Sequence, residues 1–177
     1  PKGLVAFCLH YMNGAKRWLA LMAVLTTTIA VFEVMLFGFL GQIVDWLSRA
    51  NRETFLADEG GRLALMGALV LVGLPGVVFV HSQVIHQTLM GNFPQRVRWM
   101  VHRYMLRQSM SYFQDEFAGR VAAKLMQTAL AVRETVMKLL DVLNYVVVYF
   151  LGALVLAASN DWRLAVPFLL WLAGYFV

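Results

Sequence analysis

The sequence predicts an all-α membrane protein, and two features of its composition indicate this fold class. Of all residues, 60% are hydrophobic and 14% are charged, with a mean hydropathy of +0.67, which lies outside the usual range for a soluble globular domain. The apolar residues also form long runs with few charges inside them, as expected of helices that cross a bilayer. We therefore expect long transmembrane helices rather than a soluble core.

Four apolar runs define the predicted spans. A helix needs about 20 residues to cross a hydrocarbon core of about 30 Å. The first two runs exceed this length, and the third reaches it only if the two leucines before Asp141 belong to it. The fourth has 14 residues, so we expect the sequence to be a fragment that is truncated inside this span. The predicted spans are about 19–44, 63–85, 139–158 and 164–177.

Residues 1–17 precede the first span and are predicted to form an elbow segment. Their apolar residues form a helical stripe that can lie in the membrane interface. The alternative is a poorly ordered segment, because it carries few charges. The single cysteine, Cys8, excludes an internal disulfide and a multi-cysteine metal site. The stripe comprises Leu4, Val5, Cys8, Tyr11 and Met12.

The distribution of lysine and arginine predicts the orientation of the spans. The N-terminal segment and the connection between the second and third runs hold eleven of these residues, whereas the two shorter connections hold four. By the positive-inside rule, the N-terminus and the long connection are cytoplasmic and the shorter connections face out. The basic residues lie at membrane flanks rather than on one compact face, so we expect no nucleic-acid partner.

The long connection, residues 86–138, is predicted to be a cytoplasmic helical hairpin. Its first leg continues the second span to about Ser109, with Pro94 as the only strong helix breaker. From Leu63 this helix measures roughly 70 Å, more than twice the bilayer core. From Gly119 onward, apolar residues recur every three or four positions, which predicts an amphipathic helix leading into the third span. The sequence SYFQDEF, residues 111–117, is the predicted turn between the legs, here called the loop tip.

The loop tip is the first candidate site, because it places aromatic side chains among polar ones far from the bilayer. Such side chains are costly to leave in water and suit a pocket on another domain. We expect Phe113 and Phe117 to be buried anchors, and Asp115 and Glu116 to make polar contacts at the rim. Gly119 is expected to allow a tight exit into the next helix. The alternative is an aromatic turn that packs only on its own legs. The candidate contact residues are Tyr112, Phe113, Gln114, Asp115, Glu116 and Phe117.

The segment YFQDEFAGRVAAKLMQTALAVRETV resembles the first intracellular loop of the ATP-binding-cassette exporters. That loop usually has an aromatic pair, a few polar residues and a glycine, followed along the helix by a basic residue, an aspartate and an arginine. Phe113, Gly119, Lys124 and Arg133 occupy these positions, and Thr128 stands where most members have the aspartate. GQIVDWL, SNDWRLAVP and the apolar N-terminal stretch are similar to the same family. The resemblance covers the whole chain but only about four of six spans.

The resemblance implies that residues 18–177 are part of a type-1 exporter transmembrane domain with a short coupling helix at each cytoplasmic tip. It also implies a nucleotide-binding domain, on the same or a separate chain, that holds ATP and Mg²⁺. A second transmembrane half would complete a homodimer or heterodimer. No glycine of this chain is followed by lysine, so the phosphate-cradling GxxxxGK[ST] loop is absent and we expect no ATPase site or cofactor here.

The resemblance therefore implies the permease part of an ATP-driven exporter in the plasma (inner) membrane, acting as a translocase in its intact form. In that setting the loop tip would couple the spans to the nucleotide-binding domain. One alternative is a helical membrane scaffold or assembly protein whose cytoplasmic hairpin binds a soluble partner. Another is a secondary transporter, since Gly73, Pro75 and Gly76 break the second run. The long cytoplasmic legs do not fit the architecture of a secondary transporter. No substrate is predicted.

Glu33 is the second candidate site, because an ionised carboxylate near the middle of a span costs at least a few kcal/mol unless it faces a cavity or a partner. One interpretation is that Glu33 lines the translocation cavity and favours cationic or polar substrates. The other is that it is hydrogen-bonded to a neighbouring helix and fixes packing. We predict no metal or haem site, since His81 and His86 point about 140° apart on an α-helix. They are expected to lie where the second span meets the headgroups.

Overall fold

The computed structural model describes residues 3–49, 55–115 and 117–175, and all regular structure in these ranges is helical. The all-α prediction is confirmed. Within the described ranges there are nine α-helices and three π-helical segments. The α-helices are α1 (Leu4–Tyr11), α2 (Lys16–Arg49), α3 (Phe55–Ala68), α4 (Leu74–Gln83), α5 (Met90–Met105), α6 (Met110–Asp115), α7 (Ala118–Met137), α8 (Asn144–Asn160) and α9 (Trp162–Tyr175).

Three continuous helices in the described ranges are long and apolar enough to cross a membrane. They cover Lys16–Ser48, Glu59–Met105 and Gly119–Asn160, and the first three predicted spans lie inside them. The fourth predicted span corresponds to α9, which has 14 residues. A carboxylate oxygen of Asp161 accepts a hydrogen bond of 2.9 Å from the backbone N–H of Arg163, and this contact satisfies one of the free donors at the start of α9.

The second long helix continues through both of its prolines. Proline cannot donate to the helix, and its ring collides with the carbonyl of the residue four positions earlier. Here π-helical segments, Leu69–Gly73 and Val84–Leu89, stand shortly before Pro75 and Pro94. Their wider hydrogen-bonding pattern changes the local backbone spacing. The helix is continuous through Pro94, the residue expected to be its strongest breaker.

The first leg of the hairpin ends at Met105 rather than near Ser109. Ser109 instead caps α6, since its carbonyl and its hydroxyl accept hydrogen bonds of 3.1 and 3.4 Å from the backbone N–H of Tyr112. Serine is favoured at such a position because its side chain satisfies free backbone donors. The loop tip consequently contains a short helix, as the family resemblance implied, rather than only the turn inferred from the hairpin pattern.

The described residues form two compact units. The first comprises residues 1–24 and 80–143, and its buried side chains come chiefly from α2, α5 and α7. This unit holds eleven lysines and arginines but four acids. Its core is formed largely by Leu19, Met22, Leu89, Phe93, Val97, Ala129, Val132 and Val136.

A glycine turn in the first unit connects α1 to α2. Gly14 has φ +88°, in the left-handed region that favours glycine. Arg96 lies directly against it, so that a Cβ at Gly14 would overlap the guanidinium group. The Nε of Arg96 also donates a hydrogen bond of 3.0 Å to the carbonyl of Asn13. This contact fixes the turn, and with it the start of α2, against α5.

The second unit comprises residues 25–79 and 144–177, and α2 and α8 approach each other closely in it. A Cβ added at Gly152 would lie 2.8 Å from Cγ2 of Val34. Small residues allow close helix approach in membrane proteins, where packing rather than water exclusion drives association. Most other apolar side chains of these helices are exposed or only partly buried, as expected for surfaces that contact lipid or further helices.

Candidate functional site

The loop tip presents two aromatic rings to its surroundings to different extents. Phe117, which precedes α7, is 78% exposed, and Phe113, on α6, is 40% exposed. The ring of Tyr112 meets that of Phe113 edge to face, with 5.4 Å between their centroids. The guanidinium carbon of Arg120 lies 5.9 Å from the centroid of Phe117, within the range of a cation–π contact. The tip thus carries an exposed aromatic surface with an adjacent cation.

Phe113 also packs on the legs of its own hairpin. It lines a cleft of about 430 Å³ between α5 and α7. The alternative, in which the aromatic turn packs only on its own legs, therefore holds in part for Phe113. The exposed ring of Phe117 is not part of that lining. Phe117 is therefore the more accessible of the two predicted anchors. The other lining residues are His102, Met105, Leu106, Val121, Ala122, Leu125 and Met126.

The structure describes some, but not all, of the polar residues of the loop tip. Gln114 is exposed on α6, Asp115 is the last residue of that helix, and Glu116 lies outside the described residues. The coupling role of these residues stays a prediction. The expectation for Gly119 is not supported: a Cβ there would meet no described atom within 4 Å, and its φ is not positive. The described residues therefore give no steric reason for a glycine at this exit.

Glu33 has a partner on a neighbouring helix of the second unit. The hydroxyl of Tyr145, on α8, donates a hydrogen bond to Oε2 of Glu33, on α2. The ring of Tyr145 in turn stacks on that of Tyr149, with centroids 5.7 Å apart. A carboxylate accepts at both oxygens, so this contact leaves Oε1 able to accept from another donor. This hydrogen bond supports the interpretation that Glu33 fixes helix packing. A role of Glu33 in lining a cavity stays a prediction.

A second polar contact joins the same two helices. The side-chain nitrogen of Asn144 donates a hydrogen bond of 3.0 Å to the hydroxyl of Thr27. The neighbouring Thr26 is buried. Interhelical hydrogen bonds in membranes contribute about 0.6 kcal/mol each on average. Sequence reasoning missed Tyr145 and Asn144, although polar groups at the start of an apolar run are a signal for such contacts.

A third contact, in the first unit, was also missed. The Nε2 of His81 lies 3.2 Å from Oδ1 of Asp141, and both side chains are largely buried. His81 belongs to α4, and Asp141 to the π-helical segment Lys138–Leu143. His81 is thus an ion-pair or hydrogen-bond partner of a carboxylate rather than only a marker of the headgroup region. The signal was Asp141 itself, because an acid within an apolar run usually has a partner.

Comparison with known proteins identifies the family. Residues 19–177 match the family described as ABC transporter transmembrane region. The chain is 46% identical over 172 residues to a Haemophilus influenzae protein named "Uncharacterized ABC transporter ATP-binding protein", an alignment that covers 97% of this chain and 28% of that protein. No solved structure matches the chain. The chain therefore belongs to the ABC transporter transmembrane-region family, and its long apolar helices are those of an integral membrane domain.

Proposed function

We propose that the chain forms part of the permease of an ATP-driven exporter and couples to a nucleotide-binding domain through the loop tip. The observation that carries this proposal is the exposed aromatic tip, placed between two helical legs in a chain that matches the family over residues 19–177. Aromatic side chains dominate the binding energy of many interfaces. Helical legs suit a transmission role, because they transfer a displacement at one end with little loss.

The partners follow from what this sequence lacks. It has no GxxxxGK[ST] loop, so ATP and Mg²⁺ would bind to a nucleotide-binding domain outside these residues. The chain spans 28% of the length of its Haemophilus influenzae relative, which carries "ATP-binding" in its name. This supports, for the whole protein, an ATPase domain on the same or a separate chain. A second transmembrane half would complete the pathway.

The export reaction is tested with the full-length protein in inside-out membrane vesicles. We expect ATP to drive accumulation of a transported probe inside these vesicles, and ADP to support none. The assay uses a panel of cationic and neutral fluorescent amphiphiles, with ethidium as the reference cation. ATP hydrolysis without flux of any probe in the panel would favour a scaffold or assembly role for the membrane domain.

We expect the N-terminus and the loop tip to be cytoplasmic, because the basic residues concentrate in the N-terminal segment and the hairpin. In intact cells carrying a version without Cys8, an impermeant maleimide should label Asn51→Cys and should not label Asp115→Cys. Permeabilised cells provide the control, in which both positions react. Labelling of position 115 alone in intact cells would contradict the orientation and the docking proposal together.

Glu33 is proposed to line the pathway and to favour cationic or polar substrates. With Glu33→Gln we expect KM for ethidium to rise several-fold, whereas KM for a neutral probe changes little, because only the cation loses a charge partner. Tyr145→Phe is the matched variant, since it removes the hydrogen bond and keeps the carboxylate, whereas Glu33→Gln removes the charge and keeps an oxygen that can accept from the Tyr145 hydroxyl. If Tyr145→Phe lowers Tm and Glu33→Gln leaves both KM values unchanged, Glu33 serves helix packing only.

A further inference from the structure

The two legs of the hairpin pack on each other through a seam of apolar side chains. The helices α5 and α7, which form most of the legs, are in contact within the first unit. The attraction between apolar side chains is non-directional, and packed helices can slide along each other by small amounts. The seam comprises Leu89, Phe93 and Val97 on the first leg and Ala129, Val132 and Val136 on the second.

A polar contact lies at the end of this seam that is away from the loop tip. His81 stands eight residues before Leu89, and Asp141 stands five residues after Val136. The Nε2 of His81 lies 3.2 Å from Oδ1 of Asp141, and the two side chains are 16% and 29% exposed. A histidine Nε2–H can donate to a carboxylate in the neutral and in the protonated ring. The contact is therefore directional in either charge state of the histidine.

Both partners of this contact stand beside a π-helical segment. Val84–Leu89 begins three residues after His81, and Asp141 belongs to Lys138–Leu143. Of the three π-helical segments in the described residues, these are the two that lie in the first unit. Such turns are rare and occur frequently at functional sites. Because a π-turn closes i→i+5 rather than i→i+4 hydrogen bonds, its conversion to an α-turn would shift the following residues along the helix.

We propose that His81 and Asp141 are positioning residues for coupling, because their contact fixes the register of the two legs at the membrane end of the hairpin. With the register fixed, the legs move as one body, and a displacement of the loop tip reaches the spans. Without it, one leg can slide along the apolar seam relative to the other and absorb part of that displacement. The positioning role rests on the coupling function proposed above, whereas the register itself can be measured without transport.

The register is measured in the full-length protein by electron spin resonance, as the distance between labels on the two legs. Spin labels at Asn92→Cys and Gln127→Cys, with the native cysteines replaced, report one exposed position on α5 and one on α7. We expect a single narrow distance distribution when the contact is intact. His81→Ala should broaden the distribution several-fold. Asp141→Asn should leave it narrow, since the amide keeps an oxygen that can accept from His81.

The consequence for coupling is measured in proteoliposomes as probe flux per ATP hydrolysed. His81→Ala and Asp141→Ala should each lower this ratio several-fold. The double variant should be no worse than either single one, because residues in contact give non-additive changes. Asp141→Asn should retain most of the ratio. Val132→Ala is the matched control: it shortens a buried side chain of the seam, so it should lower Tm and leave the ratio unchanged.

The two measurements separate the register from the coupling function. A distribution that stays narrow in His81→Ala would overturn the register role, whatever the transport. A broadened distribution with a native flux ratio would overturn the positioning role, and so would an equal loss of the ratio in Val132→Ala, which would attribute the effect to lowered stability. If the native protein hydrolyses ATP and transports no probe, the exporter function fails, and the distance distributions still decide whether the contact fixes the register.

Discussion

Replacing Phe113 and Phe117 by alanine in the full-length protein is expected to abolish transport and the stimulation of ATP hydrolysis by substrate. Both rings are exposed at the loop tip, and Phe117 is 78% exposed. Aromatic anchors at the centre of an interface commonly cost about 2 kcal/mol or more when cut to alanine, which corresponds to roughly 30-fold in affinity for each ring. The measurement is ATP hydrolysis and ATP-driven flux of one probe in the same proteoliposomes.

The single variants separate docking from folding. Phe113 lines the cleft between α5 and α7, so Phe113→Ala should also lower Tm, whereas Phe117→Ala should lower coupling with little change in Tm. Trp99→Ala is the control, because it removes an exposed aromatic ring on α5 that belongs neither to the loop tip nor to the cleft. Wild-type transport and stimulated hydrolysis in the correctly inserted double variant would exclude the loop tip as the coupling contact.

Replacing Gly152 by leucine is expected to give the largest loss of stability among single substitutions in the described helices. A Cβ at this position would already lie 2.8 Å from Cγ2 of Val34, so α2 and α8 must separate to accommodate a longer side chain. Overpacking of this kind costs about 1–3 kcal/mol. Separation would also weaken the neighbouring contacts from Tyr145 to Glu33 and from Asn144 to Thr27. Thermal unfolding of the full-length protein in one detergent measures the effect.

The matched control is Gly41→Leu, because a Cβ at Gly41 meets no described atom within 4 Å; its Tm should change little. A double-mutant cycle identifies the contact itself. Gly152→Ala should be destabilising alone and partly rescued by Val34→Ala, since only neighbouring residues give non-additive changes. Equal Tm values for the two leucine variants would show that the approach of α2 to α8 does not contribute to stability.

Much of the fold could be predicted because lipid imposes a length and a composition on each span. The first three predicted spans fall within the long helices of the structure, and the apolar repeat after Gly119 predicted the second leg. The end of the first leg was not predictable from hydropathy, since the leg ends at Met105 and Ser109 instead caps α6. Periodicity reports which face of a helix is apolar, but it does not report such caps.

The contacts between helices were beyond sequence reasoning for a different reason. Glu33 and Asp141 were recognisable as acids that need partners, but the identities of Tyr145 and His81 depend on the rotation and vertical offset of neighbouring helices. A single sequence specifies neither quantity. The loop tip, in contrast, was recognisable because all its residues are consecutive. Its docking role stays a prediction, since no contact of the described residues tests it.

The π-helical segment Val84–Leu89 determines where the second long helix can lose a residue without turning its buried side chains away from their partners. Its buried residues Val84 and Leu89 are five positions apart, whereas Phe93 and Val97 follow at intervals of four. In an α-helix a five-residue interval would turn one side chain about 140° away from the other, but it matches the i→i+5 pattern of a π-helix. Removing one residue between Val84 and Leu89 would restore an α-helical interval and keep the buried stripe in line. The same deletion between Leu89 and Phe93 would rotate the stripe away from its partners, so length variation is expected at the first place and not at the second.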